Sequence, residues 1–407
     1  MNKICIVGLG YVGLPLLHRL SFKNKVYGYD IDENRISQLK QSVDLTNELT
    51  IIQLRDLIVN KVELTNSLPS EKIDFFIVTV PTPVDRFKVP DLTFLINASI
   101  EIGKIISKGA IVIYESTVFP GTTEDILAPI IEINSGLRFN KDFFCGYSPE
   151  RINPGDKEHT IDSIIKVTSG STIDSAKKID SLYKNSIKAG TFLAESIKVA
   201  EAAKVIENTQ RDINIAFINE LTQLFDKMEI NIFSVLDAAK TKWNFLDFKP
   251  GLVGGHCIGV DPYYLAYKSK EFGHNPELIL AGRQINDSMP AFYANKIIKS
   301  LLGQENNTKV FKILILGITF KENCPDIRNS KVIDLIKELE LYKCEINIVD
   351  DLADKVLVKK ETNYDLKSIN EVKLNDYNKI VLAVAHNYFN YDTLRGHNVF
   401  DLKGVLK

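Results

Sequence analysis

Short apolar runs alternate with longer segments of mixed apolar and polar residues along the first half of the chain. The runs that predict strands cover residues 4–7, 26–30, 75–80, 110–114 and 143–146. Helical patterns lie between these runs, as at residues 92–106. Because alternating strands and helices pack as a parallel sheet with helices on both faces, we predict an α/β fold with a doubly wound sheet.

The middle of the chain has a different pattern. No Pro or Gly interrupts residues 196–227, where Ala, Glu, Lys, Ile and Leu predominate. Such a composition favours one long helix. A loop rich in Gly and Pro follows at residues 249–257, and a second helical pattern covers residues 277–302.

A third region restarts the alternation of strands and helices. Strand patterns cover residues 310–317, 346–350 and 379–385, with a helical pattern at 331–340. The polar residues 303–308 separate this region from the middle of the chain. We therefore predict two Rossmann-like domains, at residues 1–195 and 303–407, joined by a helical domain at residues 196–302 that begins with the long helix.

Composition narrows the class of protein. The chain has 407 residues, of which 45% are hydrophobic and 25% charged, and its formal net charge is −2. These values argue against disorder and against a nucleic-acid or anionic-membrane partner. The five cysteines form no C-x-x-C pair, so neither a disulfide framework nor a metal site is predicted. No signal-peptide pattern and no apolar stretch of about 20 residues is present, and we expect a cytoplasmic protein.

A glycine-rich loop follows the first predicted strand. Gly8, Gly10 and Gly13 have the G-x-G-x-x-G spacing, and Asp30 ends the next strand. The glycines allow a tight turn at a helix amino end that can hold a pyrophosphate, and the acid can bind a ribose while repelling a 2′-phosphate. NAD is therefore predicted rather than NADP. The alternative is a simple strand–turn–helix. Arg35 could approach the same ribose or lie on a solvated helix surface.

Other polar side chains occupy positions where ligands collect. Thr82 and Thr117 follow two strands of the predicted sheet and could touch the cofactor, or they could be ordinary turn hydroxyls. Lys204, Asn208 and Arg211 have a spacing that places them on one face of the long helix. Alone, these three would more readily be interpreted as a solvated polar stripe.

The Gly-rich loop contains a cysteine in an unusual setting. Cys257 follows Gly254 and Gly255, and Asp261 comes four residues later. Glycines permit a close approach of substrate, and a cysteine there could act as a nucleophile. The alternative is a small buried side chain. We assign no role to the neighbouring His256.

Taken together, these motifs resemble the UDP-glucose/GDP-mannose dehydrogenase family over essentially the whole chain. The segments that carry the resemblance are residues 8–15, 80–83, 148–151, 204–208, 254–262 and 317–330. The resemblance implies oxidation of the C6 alcohol of a nucleotide sugar to a carboxylate with two NAD.

Within the family, the chain resembles the UDP-N-acetylhexosamine branch, and UDP-N-acetylglucosamine enzymes above all. The residues that carry this second resemblance are 241–245, 249–264 and Arg211. Lys242 and Trp243 stand where many members carry an Arg that reaches the neighbouring subunit.

The resemblance also implies roles for individual residues. Cys257 would form a thiohemiacetal and then a thioester, Lys204 and Asn208 would stabilise the substrate oxygen, and Asp261, Glu150 and Thr117 would position or activate water. The implied NAD contacts are Gly8, Gly10, Tyr11, Val12, Gly13, Asp30, Arg35, Thr82, Thr117 and Arg328. The implied contacts to the UDP-sugar are Arg151, Ile152, Lys204, Asn208, Arg211, Gly254, Phe320 and Lys321. The first domain would bind NAD, the third would bind the UDP-sugar, and the long helix would form a homodimer core.

Three other functions share part of this pattern. An epimerase or dehydratase of nucleotide sugars would not need Cys257. A 3-hydroxyacid dehydrogenase of the 6-phosphogluconate type would not need the third domain. A non-catalytic sensor of sugar nucleotides would not need the polar residues of the helix and loop. Within the family, UDP-glucose, UDP-N-acetylgalactosamine and UDP-N-acetylmannosamine remain alternative substrates.

Overall fold

The computed structural model describes residues 1–85, 87–152, 161–255, 258–302 and 310–406. The chain divides into two compact units. The first contains Met1–Glu207 and Tyr263–Gly273, and the second contains Asn208–Pro262 and His274–Lys407. The long helix Ile197–Lys227 begins in the first unit and ends in the second.

The described part of the first unit contains an eight-stranded sheet with the order β3-β2-β1-β4-β5-β6-β7-β8. Its strands are β1 (Lys3–Val7), β2 (Lys25–Tyr29), β3 (Glu63–Thr65), β4 (Phe75–Val78), β5 (Ile111–Tyr114), β6 (Phe144–Tyr147), β7 (Lys166–Gly170) and β8 (Thr191–Leu193). Neighbouring strands pair in parallel, except that β7 is antiparallel to β6.

Helices cover both faces of this sheet. They are α1 (Gly13–Ser21), α2 (Glu33–Lys40), α3 (Ile51–Val59), α4 (Thr93–Ile105), a π-helical segment (Thr122–Leu127), α5 (Ala128–Ser135) and α6 (Ile173–Lys184). Along β1, Ile4 and Ile6 belong to one buried cluster, whereas Cys5 and Val7 belong to another. Successive side chains of a strand point to opposite faces, so burial on both faces explains why β1 is a continuous apolar run.

The second unit contains a five-stranded parallel sheet in its described residues, with the order β11-β10-β9-β12-β13. Its strands are β9 (Lys312–Leu316), β10 (Glu345–Val349), β11 (Leu366–Lys367), β12 (Lys379–Leu382) and β13 (Val399–Asp401). The remaining α-helices of the described residues are α7 (Ile197–Lys227), α8 (Ile232–Ala239), α9 (Asp261–Glu271), α10 (Glu277–Leu302), α11 (Lys331–Glu340) and α12 (Lys355–Thr362). Most of α9, from Tyr263 onward, belongs to the first unit. Three short 3₁₀ segments lie at Ile369–Glu371, Leu374–Asp376 and Tyr391–Leu394.

The predicted α/β fold with parallel sheets is confirmed. The long helix and the helical pattern at 277–302 fall where the sequence predicts them, as α7 and α10. Strands that sequence patterns do not identify are short or polar, such as β3 and β7. Among the helices of the described ranges, none is long and apolar enough to cross a membrane. The same residues contain no group of three or more His, Cys, Asp or Glu side chains arranged to hold a metal ion.

Candidate active site

The loop between β1 and α1 is tightly closed. Gly8 has a φ of +96°, a conformation that favours glycine. A Cβ atom on Gly13 would lie 1.9 Å from the carbonyl oxygen of Gly8, and Thr79 Oγ1 donates to that oxygen at 2.7 Å. By contrast, a Cβ on Gly10 would meet nothing within 4 Å. The loop therefore leaves open space at Gly10 beside a helix amino end, and this arrangement fits a pyrophosphate.

Asp30 follows β2 and faces this loop. Its Oδ2 accepts a hydrogen bond from the backbone N–H of Leu9 at 2.8 Å, and its Oδ1 accepts one from Asp32 at 3.0 Å. The carboxylate is partly exposed and fixed next to the glycine loop. This is the position from which an acid reaches the ribose of a dinucleotide. Tyr11 and Val12, in the same loop, are also partly exposed.

Arg35 does not lie on a solvated helix surface, so that alternative is wrong. Its side chain is 11% exposed and pairs with Asp44 at 2.9 Å. Its Nε donates to the carbonyl oxygen of Leu9 at 2.9 Å. The guanidinium is held inward because it joins a buried carboxylate to the glycine loop, and the predicted contact with a ribose stays a prediction.

Thr82 and Thr117 follow the carboxyl ends of β4 and β5, two neighbouring parallel strands. Both residues are partly exposed. The carbonyl oxygen of Thr82 accepts a hydrogen bond from the hydroxyl of Tyr264 at 3.0 Å. Ser116 Oγ donates to the carbonyl oxygen of Val80 at 2.6 Å and so ties the two strand ends together. The structure thus brings both threonines to one edge of the sheet, where ligands of α/β proteins bind.

Glu150 belongs to a buried ionic cluster that the sequence does not reveal. Lys166 Nζ donates to Glu150 Oε2 at 3.1 Å and to Glu115 Oε2 at 2.7 Å. The side chains of Lys166 and Glu115 are 4% and 0% exposed. Burial raises the pKa of Glu115 despite the neighbouring ammonium. Burial alone would lower the pKa of Lys166, but the two carboxylates outweigh it and raise that pKa.

Two predicted substrate contacts follow Glu150 directly. Arg151 pairs with Glu207 of α7 at 2.8 Å and donates to the carbonyl oxygen of Ile165 at 3.0 Å. The N–H of Ile152 donates to Glu150 Oε1 at 2.7 Å. The guanidinium of Arg151 is therefore held at the surface of the first unit, and its contact with a substrate stays a prediction.

The first turns of α7 bear Lys204 and a buried acid, Glu201, whose role no sequence pattern indicates. Lys204 is 8% exposed. Glu201 is fully buried and accepts hydrogen bonds from the N–H groups of Gly121, at 2.6 Å, and Thr123, at 2.9 Å. Burial raises the pKa of Glu201 to about 7. Glu201 thus ties the helix with Lys204 to the segment that follows Thr117.

In the second unit, the structure brings two predicted catalytic residues together. The amide nitrogen of Asn208 donates to Asp261 Oδ2 at 2.5 Å, and Asp261 is 1% exposed. Arg211, the third member of the predicted stripe, is exposed on α7. The carboxylate of Asp261 therefore fixes the orientation of the Asn208 amide.

The Gly-rich loop packs against the segment that contains Phe320. A Cβ on Gly254 would lie 2.4 Å from the carbonyl oxygen of Asn329, and one on Gly255, whose φ is +84°, would lie 2.7 Å from the Phe320 ring. Only glycines fit there. The ammonium of Lys321 lies 5.7 Å from the centre of the Phe320 ring. Three predicted substrate contacts thus share one region of the second unit.

Two further residues with predicted roles are Arg328 and Cys257. Arg328 forms a bidentate ion pair with Asp326, with Nη2 2.6 Å from Oδ2, and its side chain is 48% exposed. Its predicted contact with NAD stays a prediction. Cys257 and its neighbour His256 lie outside the described residues, so their predicted roles also stay predictions.

The two Rossmann-like sheets differ at the position of the ribose-binding acid. Asp350 follows β10 as Asp30 follows β2, and its Oδ2 accepts the N–H of Ile318 at 2.8 Å. However, Asp350 is 1% exposed, and buried His386 lies 3.1 Å from the same oxygen. A carboxylate covered in this way cannot bind a ribose as Asp30 can. The second sheet therefore suits a ligand other than a dinucleotide.

Family comparisons agree with this division of binding. Models of the UDP-glucose/GDP-mannose dehydrogenase family match the chain in order: the NAD binding domain at residues 2–187, the central domain at 198–288 and the UDP binding domain at 314–407. Together they cover most of the chain.

Individual relatives are similar over almost their full lengths. A Pseudomonas aeruginosa protein named UDP-N-acetyl-D-glucosamine 6-dehydrogenase is 50% identical over 413 residues, which are 99% of this chain and 97% of that protein. Protein CapL of Staphylococcus aureus is 50% identical, over 100% of this chain and 97% of its own. The solved structure of the UDP-D-ManNAc dehydrogenase from Pyrococcus horikoshii has a TM-score of 0.87 at 30% identity, and covers 98% of this chain and 93% of its own.

Proposed function

Because the chain belongs to the UDP-glucose/GDP-mannose dehydrogenase family, we propose that it oxidises the C6 alcohol of UDP-N-acetylglucosamine to the carboxylate. It is an NAD-dependent enzyme with an NAD-binding domain and a UDP-binding domain. One observation carries the choice of sugar: the relative named for UDP-N-acetylglucosamine is 50% identical, whereas the structure named for the mannosamine sugar is 30% identical. UDP-glucose and the N-acetylgalactosamine and N-acetylmannosamine nucleotides are the alternatives.

Oxidation of an alcohol to an acid removes two hydrides from one carbon. When bound, NAD supplies the hydride acceptor for each oxidation. The open space at Gly10 and the carboxylate of Asp30 support its placement along the first sheet. The residues of the chain must hold the C6 oxygen, retain the aldehyde between the two oxidations and activate one water.

Lys204 and Asn208 hold the C6 oxygen in this proposal. Asn208 uses one amide hydrogen for the buried carboxylate of Asp261, which leaves the second amide hydrogen for the substrate oxygen. An ammonium at Lys204, almost fully buried, adds a positive charge where an alkoxide develops. Preorganised donors of this kind stabilise the charged transition state without reorganising.

Cys257 retains the aldehyde in this proposal. Its thiolate adds to the aldehyde carbon to give a thiohemiacetal. Loss of the second hydride and of the hydroxyl proton gives a thioester, and water then cleaves the carbon–sulfur bond to release the carboxylate and the thiol. The support comes from the family resemblance and from Gly254 and Gly255, which bring the loop close to Asn329 and to the Phe320 ring respectively.

Glu150, Thr117 and Asp261 are the candidates to position or activate the water. Glu150 supports this role because its carboxylate is held in one orientation by Lys166 and by two backbone N–H groups. A general base must be fixed within hydrogen-bond reach of the proton that it removes. Thr117 can contribute a hydroxyl at the carboxyl edge of the same sheet.

The UDP-sugar would bind the second unit through Phe320, Lys321 and Gly254. The family's UDP-binding domain at residues 314–407 contains the first two. Lys321 supplies a positive charge for the diphosphate or the sugar. Arg151, Ile152 and Arg211 are proposed as further contacts, on the basis of the resemblance.

We also propose that the chain forms a homodimer through α7. Phe217, Leu224 and Met228 are 54%, 48% and 54% exposed, and half-buried Ile213 precedes them. Their spacing places them on one face of the helix, where exposed apolar side chains indicate an interface. Measurement of the molar mass by light scattering tests this: the native chain should have the mass of two copies, and Phe217→Asp should shift it toward one.

On the basis of the family resemblance, we also propose that the product serves surface polysaccharide synthesis. A cytoplasmic location is supported by Cys5, Cys145, Cys324 and Cys344, which form no disulfide in the described residues, because disulfides are rare in a reducing compartment. A non-catalytic sensor is disfavoured because the structure joins Asn208 with Asp261 and holds Glu150 in a buried ionic cluster.

A panel of UDP-sugars and GDP-sugars tests the proposed function. Purified enzyme should reduce NAD with UDP-N-acetylglucosamine at the highest kcat/KM. The product should have gained one oxygen and lost two hydrogens by mass. A higher kcat/KM for UDP-glucose or for an epimeric sugar would replace the proposed substrate, and absence of NADH with every sugar would overturn the function.

A further inference from the structure

Lys166 reaches Glu150 because of the one antiparallel pairing in the described sheet of the first unit. In the register of β6 and β7, Gly146 pairs with Gly170 and Tyr147 with Ser169. Continued along the chain, this register places the start of β7 opposite the residues that follow β6. A parallel β7 would begin at the other edge of the sheet. The reversed strand therefore delivers Lys166 to the edge where Glu150 lies.

The carboxylate of Glu150 has donors on both oxygens. Oε1 accepts the N–H groups of Arg151, at 2.6 Å, and Ile152, at 2.7 Å, and Oε2 accepts Lys166 Nζ at 3.1 Å. The side chain of Glu150 is 10% exposed. A carboxylate oxygen has two lone-pair sites, so Oε2 can still accept one hydrogen from water. The ammonium thus sets which oxygen is available and where it points.

Glu115 keeps this ammonium charged inside the protein. Its fully buried carboxylate lies 2.7 Å from Lys166 Nζ and also accepts a hydrogen bond from the Tyr183 hydroxyl. Ser148 is buried, and the Tyr183 ring centre lies 5.5 Å from the ammonium. A buried ammonium needs an acid as partner. With Glu115 in that role, Glu150 can take up a proton and lose its negative charge, and Lys166 still has an anionic partner.

We propose that Lys166 is a positioning residue that fixes Glu150 for removal of a proton from water, with Glu115 as its buried counter-ion. This inference rests on the proposed function. As the water oxygen bonds to the thioester carbon, Glu150 takes one water proton and the carbon–sulfur bond breaks, so that sulfur leaves as thiolate. The proton later returns to the thiolate or to solvent. The two oxidations precede this step and do not require it.

Lys166→Met should therefore separate the first turnover from later ones. The variant should still release a burst of about two NADH per active site, because both oxidations proceed before the blocked step. Steady-state kcat should fall about 100-fold, the size typical for loss of general base catalysis. Intact-mass spectrometry after the burst should find the enzyme carrying the acyl adduct of the substrate.

Three further variants complete the experiment. Lys166→Arg keeps a buried cation and should recover kcat to within about tenfold of the native enzyme. Glu115→Gln keeps the volume but leaves Glu150 as the sole carboxylate of Lys166, so kcat should fall about tenfold with the burst retained. Lys198→Met removes an exposed ion pair with Asp125 in the same unit and should change neither quantity.

The outcomes distinguish failure of the proposed function from failure of the positioning role of Lys166. If the native enzyme forms no NADH with any nucleotide sugar, the proposed function fails. If the native enzyme is active but Lys166→Met and Glu115→Gln keep native kcat, the positioning role is overturned. It is also overturned if burst and kcat fall in equal proportion with the folded fraction, which would indicate a purely structural role. If Lys166→Met does not fold, the kcat and burst of Lys166→Arg and Glu115→Gln test the positioning role instead.

Discussion

Asn219 of α7 forms two hydrogen bonds with the backbone of Gly251. Its amide nitrogen donates to the carbonyl oxygen of Gly251 at 3.0 Å, and the N–H of Gly251 donates to Asn219 Oδ1 at 2.9 Å. Asn219 is fully buried, and its amide nitrogen also donates to Asn286 Oδ1 at 2.8 Å. Asn286 in turn donates to Asp212 on α7. The long helix therefore fixes the start of the loop that leads to Cys257.

Asn219→Ala should reduce catalysis without reducing NAD affinity. The substitution leaves the N–H and carbonyl of Gly251 unpaired in the interior, at a cost of about 1–3 kcal/mol each. The loop should lose its fixed position, and kcat should fall about tenfold or more. Steady-state kinetics with a parallel NAD titration check this. Asn214→Ala is the matched control, because Asn214 donates only to the carbonyl oxygen of Gln210 on an exposed part of the helix. Native kcat in Asn219→Ala would show that Asn219 does not fix the loop for catalysis.

Gly13→Ala should disrupt the nucleotide loop itself. Its Cβ would lie 1.9 Å from the carbonyl oxygen of Gly8, so the loop must open and the melting temperature should fall even without ligand. Gly10→Ala adds the same atom in open space and should keep the native melting temperature, although NAD affinity should fall because the pyrophosphate needs that space. Thermal melts and NAD titrations of both variants separate the two effects. Equal melting temperatures for the two variants would be inconsistent with the tight turn.

Glu201 should make stability depend on pH. Burial raises its pKa from the ordinary 4.5 to about 7, so the folded chain binds more protons than the unfolded chain between these values. The stability associated with protonated Glu201 is therefore full below about pH 4.5 and is lost as pH rises to about 7, by about 3 kcal/mol.

The variant Glu201→Gln does not titrate and isolates this effect. Its melting temperature relative to that of the native protein should rise between pH 4.5 and pH 7.5, as neutral glutamine replaces an acid that must ionise. Glu220→Gln, at an exposed position of the same helix, should show a constant difference. A constant difference for Glu201→Gln as well would show that the carboxylate is not desolvated.

Sequence alone identified the parts of the fold that local pattern determines. Strands buried on both faces, such as β1 and β4, are continuous apolar runs, and the tight loop shows itself in the spacing of its glycines. The sequence pattern does not predict strand β7, because Lys166 interrupts its apolar run and suggests an exposed segment. Its partner Glu115 is 51 positions away, and no local pattern reports such a pairing.

The same limit applies to the candidate site. The sequence indicated Asn208 and Asp261 separately, but only the folded chain joins them. It also left Arg35 as a choice between a ribose contact and a solvated surface, because a distant acid, Asp44, decides where the guanidinium points. A charged residue inside an apolar run, as at Lys166, was the available signal of a buried ion pair.

Cys257→Ser should abolish carboxylate formation while leaving NAD affinity and melting temperature near native values. A serine hydroxyl is a far weaker nucleophile than a thiolate at neutral pH, so the aldehyde would not be captured. Product analysis by mass spectrometry checks the prediction, with Cys344→Ser as the control at a cysteine near β10 that is only partly buried. Native rates of carboxylate formation by Cys257→Ser would exclude covalent catalysis.

The number of NADH molecules released per molecule of UDP-N-acetylglucosamine consumed counts how many hydrides leave one substrate molecule, and so decides whether the enzyme oxidises C6 twice. NADH is measured by absorbance and uronate by mass spectrometry in the same reaction, taken to completion with limiting UDP-N-acetylglucosamine. We expect two NADH per sugar consumed, with uronate as the product and no free aldehyde at any time. One NADH per sugar consumed, with aldehyde in place of uronate, would identify a simple alcohol dehydrogenase and contradict oxidation to the carboxylate.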